Sequence, residues 1–165
     1  MHAMTNMGKW RPHTTAILIT GLALILVALV VSYMVQHFQP STQVKIGSGV
    51  YAVQTADTEA SRAQGLSGVE KLASNGGMLL IFDEASIAGS GIWMKDMKIP
   101  LDIVWLGEDK KVVHIVTNAS PELDTTKTFT PTEPAKYVLE LPAGAVKNAA
   151  VKIGSQAEFK TKGSE

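Results

Sequence analysis

The chain has 165 residues, with 15 Lys+Arg against 15 Asp+Glu, a formal net charge of zero and no cysteine. That balance offers no basic face for nucleic acid, and the lack of cysteine excludes disulfides, thiolate nucleophiles and cysteine-type zinc sites. The length allows one domain of ordinary size and something extra.

The extra comes first. Ala16 to Val35 reads AILITGLALILVALVVSYMV, and no Lys, Arg, Asp or Glu occurs from Pro12 to Val44. A helix of that length rises about 30 Å, the thickness of a bilayer's hydrocarbon core. Residues 16–35 are therefore expected to form a single transmembrane anchor. The competing reading is a cleaved secretory signal, whose apolar core is about 7–15 residues and ends at a small-x-small site. Here the run is longer and VSYMVQHFQP places bulky residues at its end. Lys9, Arg11 and the α-amino group precede the run, and only Lys45 lies close behind it. That bias keeps residues 1–15 in the cytoplasm and puts the C-terminal domain outside it, periplasmic or on the cell surface. Tyr33, His37 and Phe38 would sit at the far interface. Met1, Met4 and Met7 leave the start codon open without changing the charge count.

A tether over 36–43 leads into a domain expected over 44–160, with a tail at 161–165. Once Lys9 and Arg11 are set aside, 13 basic residues face 15 acidic ones. Val44–Ile46 and Val50–Val53 alternate around Gly47-Ser48-Gly49 and predict a hairpin. The stretch 57-DTEASRAQGLSG-68 predicts the one soluble helix, capped by Asp57 or Thr58, with Glu59 in its first turn and Gly65 or Gly68 at its end. Strands are predicted at 77–82, 91–94, 101–106, 111–117 and 136–141, then at 151–153 and 157–159. A tight turn is predicted at Gly107-Glu108-Asp109-Lys110. Short strands with turns every eight to twelve residues predict a mainly β domain, a compact antiparallel sandwich or barrel rather than a βαβ sheet.

Side-chain alternation isolates two acids. In 101-LDIVWL-106 both faces are apolar, so the strand is expected to be central, with Asp102 sharing a face with Val104 and Leu106. In 137-YVLEL-141, Glu140 shares a face with Val138. An ionised carboxylate on an apolar face is costly unless paired or hydrogen-bonded. Arg62, Lys95, Lys98, Lys136 and backbone amides are the available partners. Between the apolar segments around 91–105, Lys98-Ile99-Pro100 reads as a turn, and Lys95 and Asp102 would face each other across it.

Arg62 with Gly65-Leu66, 76-GGMLLIF-82, 93-WMKDMKIPLDIVW-105, 137-YVLELPAG-144 and Gly154 together resemble the DUF192 family, small domains of unknown function in bacteria and archaea, many of them exported. The resemblance covers about residues 44–160 and implies a mostly β, sandwich-like domain. It implies no mechanism. The chain departs from the family's usual pattern at Asp96-Met97, where Asn-Thr is common after the lysine, and at Ser67, where Met often follows Gly-Leu. Those departures bear on whatever the family's pair binds.

Arg62, Trp93, Lys95, Asp102 and Glu140 form the candidate binding cluster, suited to a zwitterionic or hydroxyl-rich ligand, or to acid and base work. The structural alternative is a set of internal salt bridges fixing strand register. His114 is expected on the face of Val112 and Val116, and it has no second histidine at metal-ligand spacing, so no metal is assigned. Ser67 lies in half of a G-x-S-x-G elbow without a preceding strand, and Ser86, Ser90 and Ser120 lie in polar loops. No dinucleotide or phosphate-loop motif is present and no cofactor is assigned. The leading expectation is a membrane-anchored extracytoplasmic module that binds a small ligand or an envelope protein without catalysing a reaction. An envelope hydrolase or transferase with Asp102 and Glu140 as acid and base is the first alternative. A scaffold for an envelope complex, marked by a large exposed apolar patch, is the second.

Overall fold

The computed structural model describes residues 19–30, 41–86, 90–123 and 127–161. Residues 19–30 are helical, and Leu22, Leu24, Ile25 and Leu29 on that helix are exposed. No helix among the described residues is long and apolar enough to cross a membrane. Both ends of the expected 16–35 span lie outside the described residues, as do Lys9, Arg11, Tyr33, His37, Phe38 and most of the tether. The helical stretch belongs to a unit separate from the domain that begins at Pro40.

That domain is built from β1 (Thr42–Ile46), β2 (Gly49–Ala56), α1 (Glu59–Gln64), β3 (Gly76–Ser86), β4 (Ile92–Trp93), β5 (Leu101–Leu106) and β6 (Val112–Ala119). A 3₁₀ turn at Pro121–Leu123, β7 (Thr128–Phe129), β8 (Ala135–Pro142), α2 (Ala145–Asn148) and β9 (Ala157–Glu158) follow. Seven strands form one sheet in the order β6-β5-β8-β3-β2-β1-β9, and β4 and β7 make a separate two-stranded ribbon. The sheet curls until its edges meet at one corner. There Val112 N–H donates to Ser155 O at 2.9 Å, Gly154 N–H to Val112 O at 2.8 Å and Ala157 N–H to Lys110 O at 3.0 Å. The architecture is therefore a single curled sheet, the barrel-like member of the expected pair, and not two packed sheets.

Local chemistry explains the elements. β1 and β2 are joined by the predicted turn, with Gly47 at φ 56, a left-handed conformation that glycine adopts without steric cost. α1 starts where Thr58 accepts from Ser61 N–H while Ser61 Oγ accepts from Thr58 N–H, a reciprocal cap. Gly65 at φ 48 ends it. β5 has every residue buried and lies between β6 and β8, as its two apolar faces require.

Two expectations are corrected. First, β2 pairs parallel with β3, and α1 spans the crossover, so the domain does contain one β-α-β unit. Second, the segment 151–153 is not a strand, and the helix content is two short α-helices and a 3₁₀ turn rather than one helix. Lys98-Ile99-Pro100 does lie between two β-segments, as expected, and β4 pairs with β7.

The sheet separates two apolar clusters. Val44, Val53, Leu79, Val104, Leu106, Leu139 and Leu141 fill the enclosed face together with α2. Leu66, Leu80, Ile92, Met97, Ile103, Trp105 and Val138 pack on the other face, beneath α1 and the β4–β7 ribbon. The glutamate of β8 emerges on this second face.

Candidate functional site

β8 places Glu140 opposite Met78 of β3 on one side and Ile103 of β5 on the other. Its side chain, only 5% exposed, points into the second cluster with Val138. Oε2 has no hydrogen-bond partner. Burial pushes the carboxyl up to about 7, because removing water penalises the charged form.

Above it is a pocket of about 310 Å³, walled by Leu66, Leu80, Phe82, Ile92 and Met97 and bordered by Glu59 and Arg62 of α1. α1 ends at Gly65, whose position beside Glu140 Oε2 needs no side chain and whose positive φ disfavours one. Arg62 is fixed rather than free. Its NH1 group donates to Asp57 O at 2.9 Å and Ile81 O at 2.8 Å, and its guanidinium lies 5.1 Å from the Phe82 ring centre. Arg62 forms no ion pair with Glu140: the ion pairs among the described residues are Lys45–Glu158, Lys111–Asp109 and Lys136–Glu108, all at the surface.

Trp93 stands at the mouth, 49% exposed, with Lys95 Nζ 5.4 Å from its ring centre. Ala63, Gln64, Ser67 and Trp93 border both the pocket and a shallower groove that runs on to Lys95 and Asp96. The two positions that depart from the family pattern meet here. Ser67 Oγ donates to Lys95 O at 2.9 Å, and Gly68 N–H donates to Asp96 O at 2.9 Å. Asp96 has φ 58, a conformation that Asp and Asn tolerate better than most residues. The Ser67 hydroxyl and the Asp96 backbone carbonyl thus clasp two loops at the edge of the site.

Asp102 is not part of it. It pairs across β8 with Leu141, one position from Glu140's partner, so the two carboxyls project from opposite faces. An Asp102–Glu140 acid–base pair is excluded by that register. Asp102, fully buried, accepts from Asn118 N–H through Oδ1 and from Val146 N–H through Oδ2, each at 2.9 Å. Asn118 has φ 53 within an irregularity of the β5–β6 ladder, and Val146 is in the first turn of α2, which has no side-chain cap of its own. One carboxylate therefore satisfies a bulge amide and a helix-start amide at once. Its charge also helps burial raise the Tyr51 hydroxyl above its usual range. Lys95 does not face it.

The remaining candidates are structural. An irregularity near Trp105–Leu106 shifts the ladder so that Leu106 pairs with Val112 and Trp105 with His114. His114 therefore contacts Trp105 edge-on, at 5.2 Å between ring centres, rather than sharing the face of Val112. No group of three or more metal-ligating side chains occurs among the described residues. Ser90 Oγ donates to Ser86 O, and Ser120 Oγ accepts from Glu122 N–H, both local turn bonds. Glu59, Leu80, Phe82, Ile92 and Met97 escaped the sequence reading. The alternation of Leu80 and Phe82 along β3 was the signal that could have placed them beside Glu140.

The DUF192 family model, described as an uncharacterized ACR, matches residues 42–159. A UPF0127 protein of Thermococcus kodakarensis is 28% identical over 102 residues, which cover 62% of this chain and 60% of that protein. The chain thus spans about three-fifths of that relative's length. Among solved structures, a Sinorhizobium meliloti protein proposed to be a transcription regulator superposes with a TM-score of 0.67 at 31% identity, covering 72% of this chain and 93% of that one. A Novosphingobium aromaticivorans protein of unknown function gives 0.62 at 28% identity, covering 70% and 83%. With the model matched from β1 through β9 and the same curled sheet in solved relatives, this chain belongs to the DUF192 family.

Proposed function

We propose that the chain is a membrane-anchored, extracytoplasmic module that binds a small ligand in the pocket over Glu140. The observation that carries this reading is Glu140 Oε2, buried and without a partner at the floor of an open cavity. Native structures rarely leave such an acceptor unsatisfied, and a ligand donor supplies the missing bond. Among the pocket's lining residues Glu59 is the one other carboxyl, and the Ser67 hydroxyl is engaged with Lys95 O and has no histidine beside it in the lining, so binding is favoured over catalysis. The anchor rests on the uncharged 16–35 run behind Lys9 and Arg11, and on the exposed apolar side chains of helix 19–30. The scaffold reading has less support, because the exposed large apolar residues described in the domain, Val50, Trp93 and Ile153, sit on β2, on β4 and in the turn before β9. The regulator proposal for the S. meliloti relative gains nothing from this chain's balanced charge.

A library of small polar metabolites, screened by NMR against the full chain, tests the pocket. Ligands should shift the signals of Leu66, Leu80, Trp93 and Met97. Ala63→Trp at the mouth should remove those shifts while leaving stability within about 1 kcal/mol. A library that moves no pocket signal in the folded protein, or shifts that survive Ala63→Trp, would overturn the reading.

A further inference from the structure

The chemistry of the pocket narrows the ligand. Around Glu140, β3 contributes Met78, Leu80 and Phe82, β5 contributes Ile103, and β4 contributes Ile92 and Trp93. Met97 comes from the loop after β4, and Gly65, Leu66 and Ser67 from the loop after α1. None of these is ionisable. The charged groups facing the cavity are Glu59 and Arg62 of α1, and Lys95 and Asp96 lie in the adjoining groove, Lys95 against Trp93. Two carboxyls against one guanidinium give the pocket a negative balance once Glu140 ionises. Arg62 is held on two carbonyls and over Phe82, with no ion pair to Glu140, so the floor carries an uncompensated acceptor.

Resting on the pocket reading above, we infer that the ligand is an organic cation bearing N–H groups, a primary or secondary amine on a compact apolar body, whose ammonium hydrogen-bonds to Glu140 Oε2. A neutral hydroxyl would satisfy the acceptor but leave the buried charge unbalanced, whereas an ammonium does both, in a charge-assisted bond. A quaternary ammonium balances the charge but has no hydrogen to donate. The apolar walls of Leu66, Leu80, Phe82 and Met97 take the body, and a volume of about 310 Å³ limits it to one compact molecule.

Binding is coupled to protons. An amine of ordinary basicity stays charged across neutral pH, while Glu140 passes from acid to carboxylate in the same range. The ammonium prefers the carboxylate, so it displaces the Glu140 proton when it binds at low pH and binds without release at high pH.

Cyclohexylamine, cyclohexanol and cyclohexanecarboxylate are matched probes of cation, neutral donor and anion. Each is titrated into the full chain in non-ionic detergent, by calorimetry in two buffers of different ionisation heat and by ¹³C NMR of the Glu140 carboxyl. The amine should bind best, tighten roughly tenfold from pH 6 to pH 8, and release a proton at the lower pH. Glu140→Gln should abolish both the tightening and the release; the wild-type pH profile decides the matter even if that variant misfolds. Equal or tighter binding of cyclohexanol, or binding independent of pH, would overturn the amine assignment and leave the pocket reading standing. Preference for the carboxylate would also overturn it and make Arg62 the anchor. Failure of the amine to bind at tens of millimolar overturns it as well, and the metabolite screen with Ala63→Trp then decides the pocket separately.

Discussion

Asp102 and Glu140 sit on neighbouring strands and differ in what meets their oxygens. Asp102 holds two amides far apart in sequence, at Asn118 and Val146, and so ties β6 to α2. Asp102→Asn keeps one acceptor but turns an amide NH₂ toward the other N–H. It should cost about 2–4 kcal/mol, as expected when a buried charged acceptor is altered, read from chemical denaturation. An unchanged midpoint would show that the two amides find other partners. Glu140 behaves in the opposite sense. Its carboxyl is raised from 4.5 to about 7, so between those values the native state keeps a proton that the unfolded chain has lost. The associated stability is complete below the lower value and falls as pH rises to about 7, by about 3 kcal/mol in all. Glu140→Gln should flatten this dependence and leave the protein more stable than wild type at pH 8; denaturation at pH 5 and pH 8 measures both. The sequence disclosed that both acids lie on apolar faces, because alternation is a local property. It did not disclose the partners of Asp102 or the lack of one at Glu140 Oε2. The Asp102 partners depend on a ladder irregularity at Thr117-Asn118 and on the start of α2, which only the folded chain brings together.

Among the elements, those with a complete local signal were the most legible. β5 matches its predicted bounds, and α1 takes Thr58 of the two expected caps and Gly65 of the two expected stops. The exposed cap bonds of Thr58 act on the wall of the pocket, since Arg62 and Gly65 lie on or just after the same short helix. Thr58→Ala should therefore cost about 1 kcal/mol and broaden the NMR signals of Leu66 and Trp93. Sharp, unshifted signals would show that tertiary contacts alone hold the wall. What escaped the sequence was relational. The parallel pairing of β2 with β3 places α1 over the sheet, yet a helix of only six residues carries little sign of a crossover. α2 was missed because Gly144 provides no side-chain cap and its acceptor comes from Asp102, although AVKNAA is rich in helix formers. The pairing of β4 with β7 was hidden because β7 is only two residues long and carries no alternation to mark it.

At the scale of the whole molecule, the mainly β class was legible, and the family resemblance read over about 44–160 is matched over 42–159. The choice of one curled sheet over two packed sheets was not, since short alternating strands suit both. The anchor proposal belongs to this scale, and a fusion tests it. Alkaline phosphatase joined after Glu165 should be active, and a fluorescent protein at the same place that folds only in the cytoplasm should stay dark. The reverse pattern would place the domain inside the cell. A processed form beginning near residue 40 would replace the anchor with a signal peptide.

The meeting of the sheet edges sets the order in which a growing chain can finish. Lys110 and Val112 bond to Gly154, Ser155 and Ala157, while Lys45 and Ile46 pair with Glu158 and Ala157. The first strand and the fifth-to-sixth hairpin are both synthesised long before their shared partner. A nascent chain thus holds two unfinished borders until residues 154–158 arrive, and contacts of such long sequence separation form slowly. A stop codon after Ala150 would leave both borders permanently open. Such a product, unlike one merely lacking its tail, should collect in the insoluble fraction by strand addition between copies.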